Sequence, residues 1–440
     1  MNHDEKVQRI ARAIAELAQR RTPVRFRRSG VSHVVPNPFR KARPGGEVDV
    51  SDLKEILHID VEKRLCVAEP GVTFREIVQR TIPLGLAPYT VPELEGITIG
   101  GAVSGCSLES MSYRHGGFHD TCLAYELVSG TGEVIHCSPE ENADLFHMVH
   151  GSYGTLAALT SLTFSLVPVK PYVALTYQRF DNHDDFWAAL RARCEPGDHD
   201  FVDAIIHGPR HYTLCLGTMV DHAPELSDYT GTEIYYQSTR TKTQDFMRLE
   251  DYYFRYDTEC HWLTRTVPPL ENKLVRRLVG RWFLGSTNLI RWSSRLRHLL
   301  RLKGRPDVVI DVFIPARNFT RFMDWYRDVF DFWPLWIVPY RIATPYPWLD
   351  DTYQEALQDQ LFIDCAIYGK ANRDPKRDLS VDLEREVHAL HGIKTLISRN
   401  HYDETTFWSI YSKPRWDAAK GRLDPHNLFG DLYRKVHNQH

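Results

Sequence analysis

The chain opens on an apolar stripe at helical spacing. Val7, Ile10, Ala11, Ile14, Leu17 and Ala18 share one face, which predicts an amphipathic helix. Thr22 and Pro23 stop it, and the alternation Val24-Arg25-Phe26-Arg27 predicts a strand running into a Ser-Gly turn. Short strands are predicted over 47–50 and 65–69, with a helix over 74–80. Between 94 and 117 glycine and small residues take over. Strand patterns return at 124–129 and 134–137, turning on Gly130-Thr131-Gly132. The stretch 156–167 reads as a helix start or as a strand, and Pro168 and Pro171 mark a boundary.

Beyond Val173 the texture changes. Predicted strands at 212–216 and 308–314 alternate with helical stretches such as 319–330, and tryptophan and tyrosine become frequent. The pattern is that of a second, mixed α+β domain. There is no internal repeat and no low-complexity tract.

Length and charge narrow the picture. A chain of 440 residues holds two or three domains. A net charge of −3 gives no polyanion-binding signature and argues against nucleic acid. Eight scattered cysteines without a C-x-x-C pair read as reduced thiols, neither a disulfide framework nor a zinc site, so no metal is expected. The N-terminus lacks the apolar run of a signal peptide, and no run reaches the roughly 18 to 20 residues that span a bilayer. A cytoplasmic protein is the expectation these features lead to.

Three segments suggest chemistry. Arg27-Arg28-Ser29-Gly30-Val31-Ser32 follows a strand, and a turn of small residues can form a nest of backbone N–H groups for phosphate oxygens. The alternative is an ordinary strand-ending turn. The run from Gly96 through Thr98, Ile99, Gly100, Gly101, Ser104 and Gly105 to Ser107 has minimal side chains, so a flat ligand and its pyrophosphate could approach the backbone. It is not a G-x-G-x-x-G between strand and helix, so a Rossmann reading fails. The third is Gly151-Ser152-Tyr153-Gly154-Thr155-Leu156.

The order of these segments carries a resemblance. Strand-Arg-x-Ser-Gly is followed by Val67-Ala68-Glu69-Pro70-Gly71-Val72, Thr98-Ile99-Gly100-Gly101, Tyr113-Arg114-His115-Gly116 and Gly154-Thr155-Leu156. This order resembles the flavin domain of the vanillyl-alcohol-oxidase/p-cresol-methylhydroxylase (PCMH) superfamily. Within it, 92–101, Glu109-Ser110-Met111-Ser112, 122–128 and 138–146 look like the 24-dehydrocholesterol reductases and the plant Diminuto proteins. The likeness is dense over 67–173. It is sparse but collinear at Tyr252-Tyr253-Phe254-Arg255, Phe362-Ile363-Asp364 with Tyr368-Gly369, and Phe407-Trp408. The resemblance implies an α+β fold: a two-subdomain PCMH-type FAD-binding domain over 1–171, a mixed α+β substrate (cap) domain over 172–415, and a C-terminal segment over 416–440, Asp424-Pro425 included, that returns to the flavin domain. It implies FAD at Ser29, Gly30, Val31, Ser32, Pro92, Thr98, Ile99, Gly100, Gly101, Ser104, Gly105, Ser107, Ser110, Gly116, Gly154, Thr155 and Leu156. Many relatives tether FAD through a histidine of the Arg-Ser-Gly-Gly-His-Ser turn. Ser32 holds that place here and His33 lies one position late, so non-covalent FAD is expected. The membrane-anchoring N-terminal segment of the animal and plant enzymes has no counterpart in this sequence.

The function implied is saturation of an isolated C=C bond in a lipid, a sterol side chain or a methylene-branched fatty acyl chain. NADPH or NADH would reduce the flavin, and flavin N5 would give hydride to one alkene carbon. The other carbon needs a proton from a group held close and dry. Asp364, Tyr368, Glu259, His261 and His401 are the candidate donors, each with a plain structural role as the alternative. Two rival functions stand beside this one: an FAD-dependent oxidase or dehydrogenase of an alcohol, and a flavoprotein that only binds lipid.

One further feature stands without any family. Lys273, Arg276, Arg277, Arg281, Arg291, Arg295, Arg297, Arg301, Lys303 and Arg305 fall in one stretch with no acid among them. Leu274, Leu278 and Trp282 share a helical face, as do Trp292, Leu296, Leu299 and Leu300. Such a stretch suits peripheral contact with an anionic membrane. The alternative is a solvated basic face packed on the cap core.

Overall fold

The computed structural model describes the chain except residues 31–43, 196, 198, 267, 296–307, 343, 356, 358–359, 375 and 438–440. The opening helix spans His3–Gln19. Asn2 caps it, accepting from the Glu5 N–H, while Glu5 reaches back to the Asn2 N–H. Its apolar face, Val7, Ile10 and Ile14, packs with Val24, Val48, Leu428 and Phe429 in a small core. There the strand Val24–Arg27 pairs in parallel with Gly46–Asp49.

An antiparallel sheet follows. Its order is Ile56–Asp60, Leu65–Ala68, Ala158–Pro168, Cys122–Val128 and Val134–Cys137, with Leu86–Pro88 joined to the far end of the long strand. The segment 156–167 therefore resolves as a strand. Its alternating burial explains why, since Leu162, Phe164 and Leu166 all face the core.

The second half is built on an eight-stranded sheet in which every pair is antiparallel. Its order is Gln244–Arg248, Tyr172–Phe180, His211–Val220, Phe201–Gly208, Leu335–Arg341, Leu361–Lys370, Val308–Pro315 and Ile393–Lys394. Alternation sends one set of side chains, among them Ile337, Ile363 and Cys365, onto the helices His183–Arg193, Phe319–Trp325 and Leu379–Ala389. The predicted helix over 319–330 ends in a π-turn, Tyr326–Phe330. The other set, including Phe313, Trp336, Val338, Tyr340 and Ala366, joins one continuous core with Phe74, Ile99, Phe118 and Leu156. The inner face of this sheet is thus a wall shared with the first half. The architecture is α+β.

Two devices fasten the halves. Arg255 is buried between Glu109 at 2.8 Å and Asp203 at 3.2 Å, its guanidinium 4.1 Å from the Tyr252 ring centroid. A buried cation is retained only with such partners. At the other end, the chain after the helix Lys413–Leu423 runs back to the opening elements. Gly130 N–H donates to the Leu423 carbonyl and Val24 N–H to that of Leu428. Asp424 accepts from the N–H groups of Leu428 and Phe429 and pairs with Lys420 at 2.7 Å. All eight cysteines are free thiols. No helix among the described residues is long and apolar enough to cross a membrane, and no group of metal-ligating side chains occurs among them.

Candidate functional site

The small-residue run folds as a short helix, Ile99–Gly105, capped by the Thr98 hydroxyl, which accepts from Gly101 N–H at 3.2 Å. Its two faces differ. Ile99, Ala102 and Val103 are buried, whereas Gly101 is exposed and Ser104 and Gly105 are half-buried. Gly100 touches the chain behind it: a Cβ there would lie 2.4 Å from the Pro70 Cβ. At Gly101 a Cβ would meet only Thr98 Oγ1, at 3.1 Å. One glycine is thus required by packing, while the other leaves the outer surface flat.

Three segments far apart in sequence converge here. Ile99 N–H donates to Val72 O and Gly100 N–H to Pro70 O. Tyr153 N–H donates to Ser104 O at 3.0 Å, which lays the turn Gly151–Gly154 along the same helix. Gly154 has φ +69°, and a Cβ on it would lie 3.3 Å from the Arg28 guanidinium. Arg28 in turn leads into Ser29 and Gly30, both exposed, where Gly30 has φ +86° and, its chain neighbours aside, no atom of the described residues lies within 4 Å of where a Cβ would stand. Residues with φ near these values are strained unless they are glycine. Val31 and Ser32 lie outside the described residues. Gly101, Ser104, Gly105, Gly154, Ser29 and Gly30 therefore adjoin one glycine-lined surface beside a guanidinium, a cradle that a Cβ would fill. Small side chains beside a guanidinium suit a flat cofactor and its phosphate oxygens, the chemistry of FAD.

The other sequence candidates support the cradle from behind. The Ile99 and Leu156 side chains are in the core, and Pro92 is buried. Ser107 accepts from Phe118 N–H. Gly116, at φ +77°, is required by its turn, since a Cβ would meet Asp120 Oδ2 at 2.3 Å. Thr155 is buried, with its hydroxyl on Ser152 O and its carbonyl on Lys420. Ser110 faces the second half of the chain, its hydroxyl 3.0 Å from Tyr252 Oη.

Opposite this surface, the inner face of the large sheet carries acids. Asp364 stands on the strand Leu361–Lys370, 2 % exposed, and its Oδ1 has no hydrogen-bond partner. Burial, with Asp311 and Glu93 nearby, pushes its carboxyl well above the ordinary range. Tyr368, two pleats along the same face, donates its hydroxyl to Asp311 Oδ1 at 2.5 Å. Burial lifts Asp311 to about 6, although the Tyr368 hydrogen bond works the other way. The Tyr368 ring lies 4.1 Å from that of His261, whose Nε2 is 2.9 Å from Glu93 Oε1. Burial opposes ionisation of Glu93, but the His261 hydrogen bond and charge outweigh it and hold the carboxyl below its usual range.

The sequence candidates separate on this map. Asp364, Tyr368 and His261 come together, joined by Asp311 and Glu93. Glu259 is engaged instead by Arg276. The His401 backbone N–H is bound by Glu384, which also takes Lys394. Sequence reasoning does not find Asp311 and Glu93: Asp311 sits in an ordinary strand pattern, and Glu93 lies in the run 92–101 without standing out chemically.

A cradle of glycines facing a buried acidic wall has the form of a cofactor-binding site. Residues 5–138 match the model of an FAD binding domain. The chain is similar to human delta(24)-sterol reductase, 25% identical over 398 residues that cover 88% of this chain and 76% of that protein. It is 23% identical over 485 residues to the delta(24)-sterol reductase of Pisum sativum, covering 98% and 84%. A shorter match, 26% over 171 residues and 38% of this chain, is to cytokinin dehydrogenase 3 of Oryza sativa subsp. japonica. The chain thus carries a PCMH-type FAD-binding domain and is a distant relative of the delta(24)-sterol reductases.

Proposed function

We propose that the protein is an FAD-dependent reductase that saturates an isolated C=C bond of a lipid, with NADPH or NADH as reductant. The observation that carries the reading is Asp364, a buried acid with an unengaged oxygen on the wall that faces the flavin domain. FAD bound at the Gly101 and Gly154 surface would supply the hydride to one alkene carbon. Asp364, whose burial favours the protonated carboxyl, would deliver the proton to the other. An unactivated alkene needs that proton in the transition state, and a dry acid can provide it. Tyr368 and Asp311 hold the neighbouring hydrogen bond, and the Glu93–His261 pair fixes the ring on which Tyr368 rests. Phe313, Val338 and Trp336 keep the wall apolar, as a hydrocarbon substrate requires. The delta(24)-sterol reductases named above support a sterol side chain as substrate, with a methylene-branched acyl chain as the alternative within the same chemistry.

The test is anaerobic mixing of the flavin-loaded protein with NADPH and with NADH. Bleaching of the flavin absorbance, reversed on adding a Δ24 sterol or a methylene-branched phospholipid, is the expected result. Reduction by an alcohol and by neither nucleotide would replace this reading with an oxidase or dehydrogenase. A flavin that stays oxidised with every donor would leave a lipid-binding flavoprotein.

A further inference from the structure

The helix Lys273–Phe283 turns its apolar face outward. Leu274, Leu278 and Trp282, four residues apart, are 66%, 69% and 61% exposed. With Met1 they are the most exposed large apolar side chains among the described residues. Phe283 extends the patch, stacked on Trp292 of the next helix, Ser286–Arg295, at 5.4 Å. A helix on a globular core ordinarily does the reverse and buries this stripe.

The helix's inner face explains the orientation. Arg276 is 4% exposed and binds Glu259 and the carbonyl of Gly231, the latter at 2.9 Å and 3.0 Å. Gly280 and Leu284 are buried on the same side. An ion pair buried this well is costly to break, so the arginine fixes the helix with its leucines in water. This corrects one expectation: Arg276 belongs to the anchor, not to the unopposed charges. Arg295 lies at the end of the second helix, and Arg297, Arg301, Lys303, Arg305, Leu296, Leu299 and Leu300 lie outside the described residues.

The rim is basic. Lys273, Arg277 and Arg291 are exposed, and the stretch 273–305 holds ten Lys and Arg and no Asp or Glu. A second copy of this chain would bring one such rim against another, which like charge disfavours. A bilayer of anionic lipid complements both features, apolar side chains below the headgroups and cations among the phosphates. The hairpin also connects to the site. Asp257 accepts from the Ser286 hydroxyl at the head of the second helix and from Glu95 N–H in the loop after Glu93. Four residues further on, His261 forms the wall beside Tyr368.

We propose that the hairpin 273–295 docks the protein on the surface of an anionic membrane, with Leu274, Leu278 and Trp282 seated in the interfacial layer. Docking is independent of the proposed reaction, because its readout is binding.

The experiment is co-sedimentation of the full chain with vesicles of phosphatidylcholine alone or mixed with phosphatidylglycerol, at low and high salt. Two surface variants accompany it, Leu278→Glu with Trp282→Ala, and Arg277→Glu with Arg291→Glu, each checked for wild-type melting temperature and flavin content. The wild type is expected on the mixed vesicles at low salt and to be released as salt rises. The apolar variant should bind about tenfold more weakly or worse. The charge variant should lose about fivefold for each basic residue removed. Wild-type protein left in the supernatant, or equal binding of all three, would overturn the proposal. So would a concentration-dependent dimer that Leu278→Glu dissolves, with no vesicle binding, since a second copy would then cover the stripe.

Discussion

Tyr368 and Asp311 are joined by a 2.5 Å hydrogen bond between adjacent strands of the large sheet, the phenol donating to the carboxylate. Both side chains point from the second half of the chain toward the flavin domain. Tyr368→Phe removes the donor while leaving the ring on His261. Turnover should fall by about tenfold to a hundredfold, with flavin content unchanged. Asp364→Asn, which removes the proposed proton, should fall further, by about two to four orders of magnitude. Single-turnover reoxidation of reduced flavin by the alkene checks both. Equal, small effects would assign the proton to another group.

The Asp311 carboxyl predicts a pH dependence of stability. Its folded-state value of about 6 lies above its unfolded value near 3.8. Between those values the folded protein binds more protons, so stability falls as pH rises through the window and is lowest above 6. The effect is on the order of 3 kcal/mol at most, from two pH units at about 1.4 kcal/mol each. Denaturant melts of wild type and Asp311→Asn across pH 4 to 8 should differ by this limb, with the variant the flatter of the two.

Gly100 and Gly101 should behave differently on substitution. Gly100→Ala puts a methyl group 2.4 Å from the Pro70 Cβ and should destabilise the fold by about 1 to 3 kcal/mol. Gly101→Leu should leave a folded protein that has lost its flavin, because the side chain would enter the surface beside Thr98. Absorbance and melting temperature separate the outcomes. Full flavin in folded Gly101→Leu would remove this helix from the site.

The flavin should be released by acid or heat. Ser32 stands where many relatives carry a tethering histidine. Yellow colour that stays with the precipitated polypeptide would show a covalent bond.

Asp424→Ala should lower stability by about 3 kcal/mol. The carboxylate is buried, accepts from Leu428 and Phe429 N–H, and balances Lys420, so its loss removes the counter-charge of that cation and leaves two backbone donors unsatisfied. Because Lys420 also holds the Thr155 carbonyl, flavin affinity should fall along with melting temperature.

Local chemistry made much of this protein legible in its sequence. The amphipathic spacing of Val7 to Ile14 specifies a helix whatever lies beyond it, and alternation specifies strands such as Val134–Cys137. Glycine at positions 100 and 154 marks a constraint, because position 100 is pressed against Pro70 and position 154 has φ +69°. What the tertiary structure decided is which side chains meet. Asp364 and Tyr368 are two pleats apart on one face, which periodicity alone suggests. Asp311 joins them through strand register, and Glu93 and His261 through packing between the halves, over separations of 50 residues and more that no local signal records. The hairpin shows the same limit. The stripe Leu274–Leu278–Trp282 is legible as an amphipathic face, but a pattern does not state which way it turns. Arg276, reading as one cation among ten, settles that by burying itself against Glu259, because a desolvated charge must take its partner wherever the fold provides one.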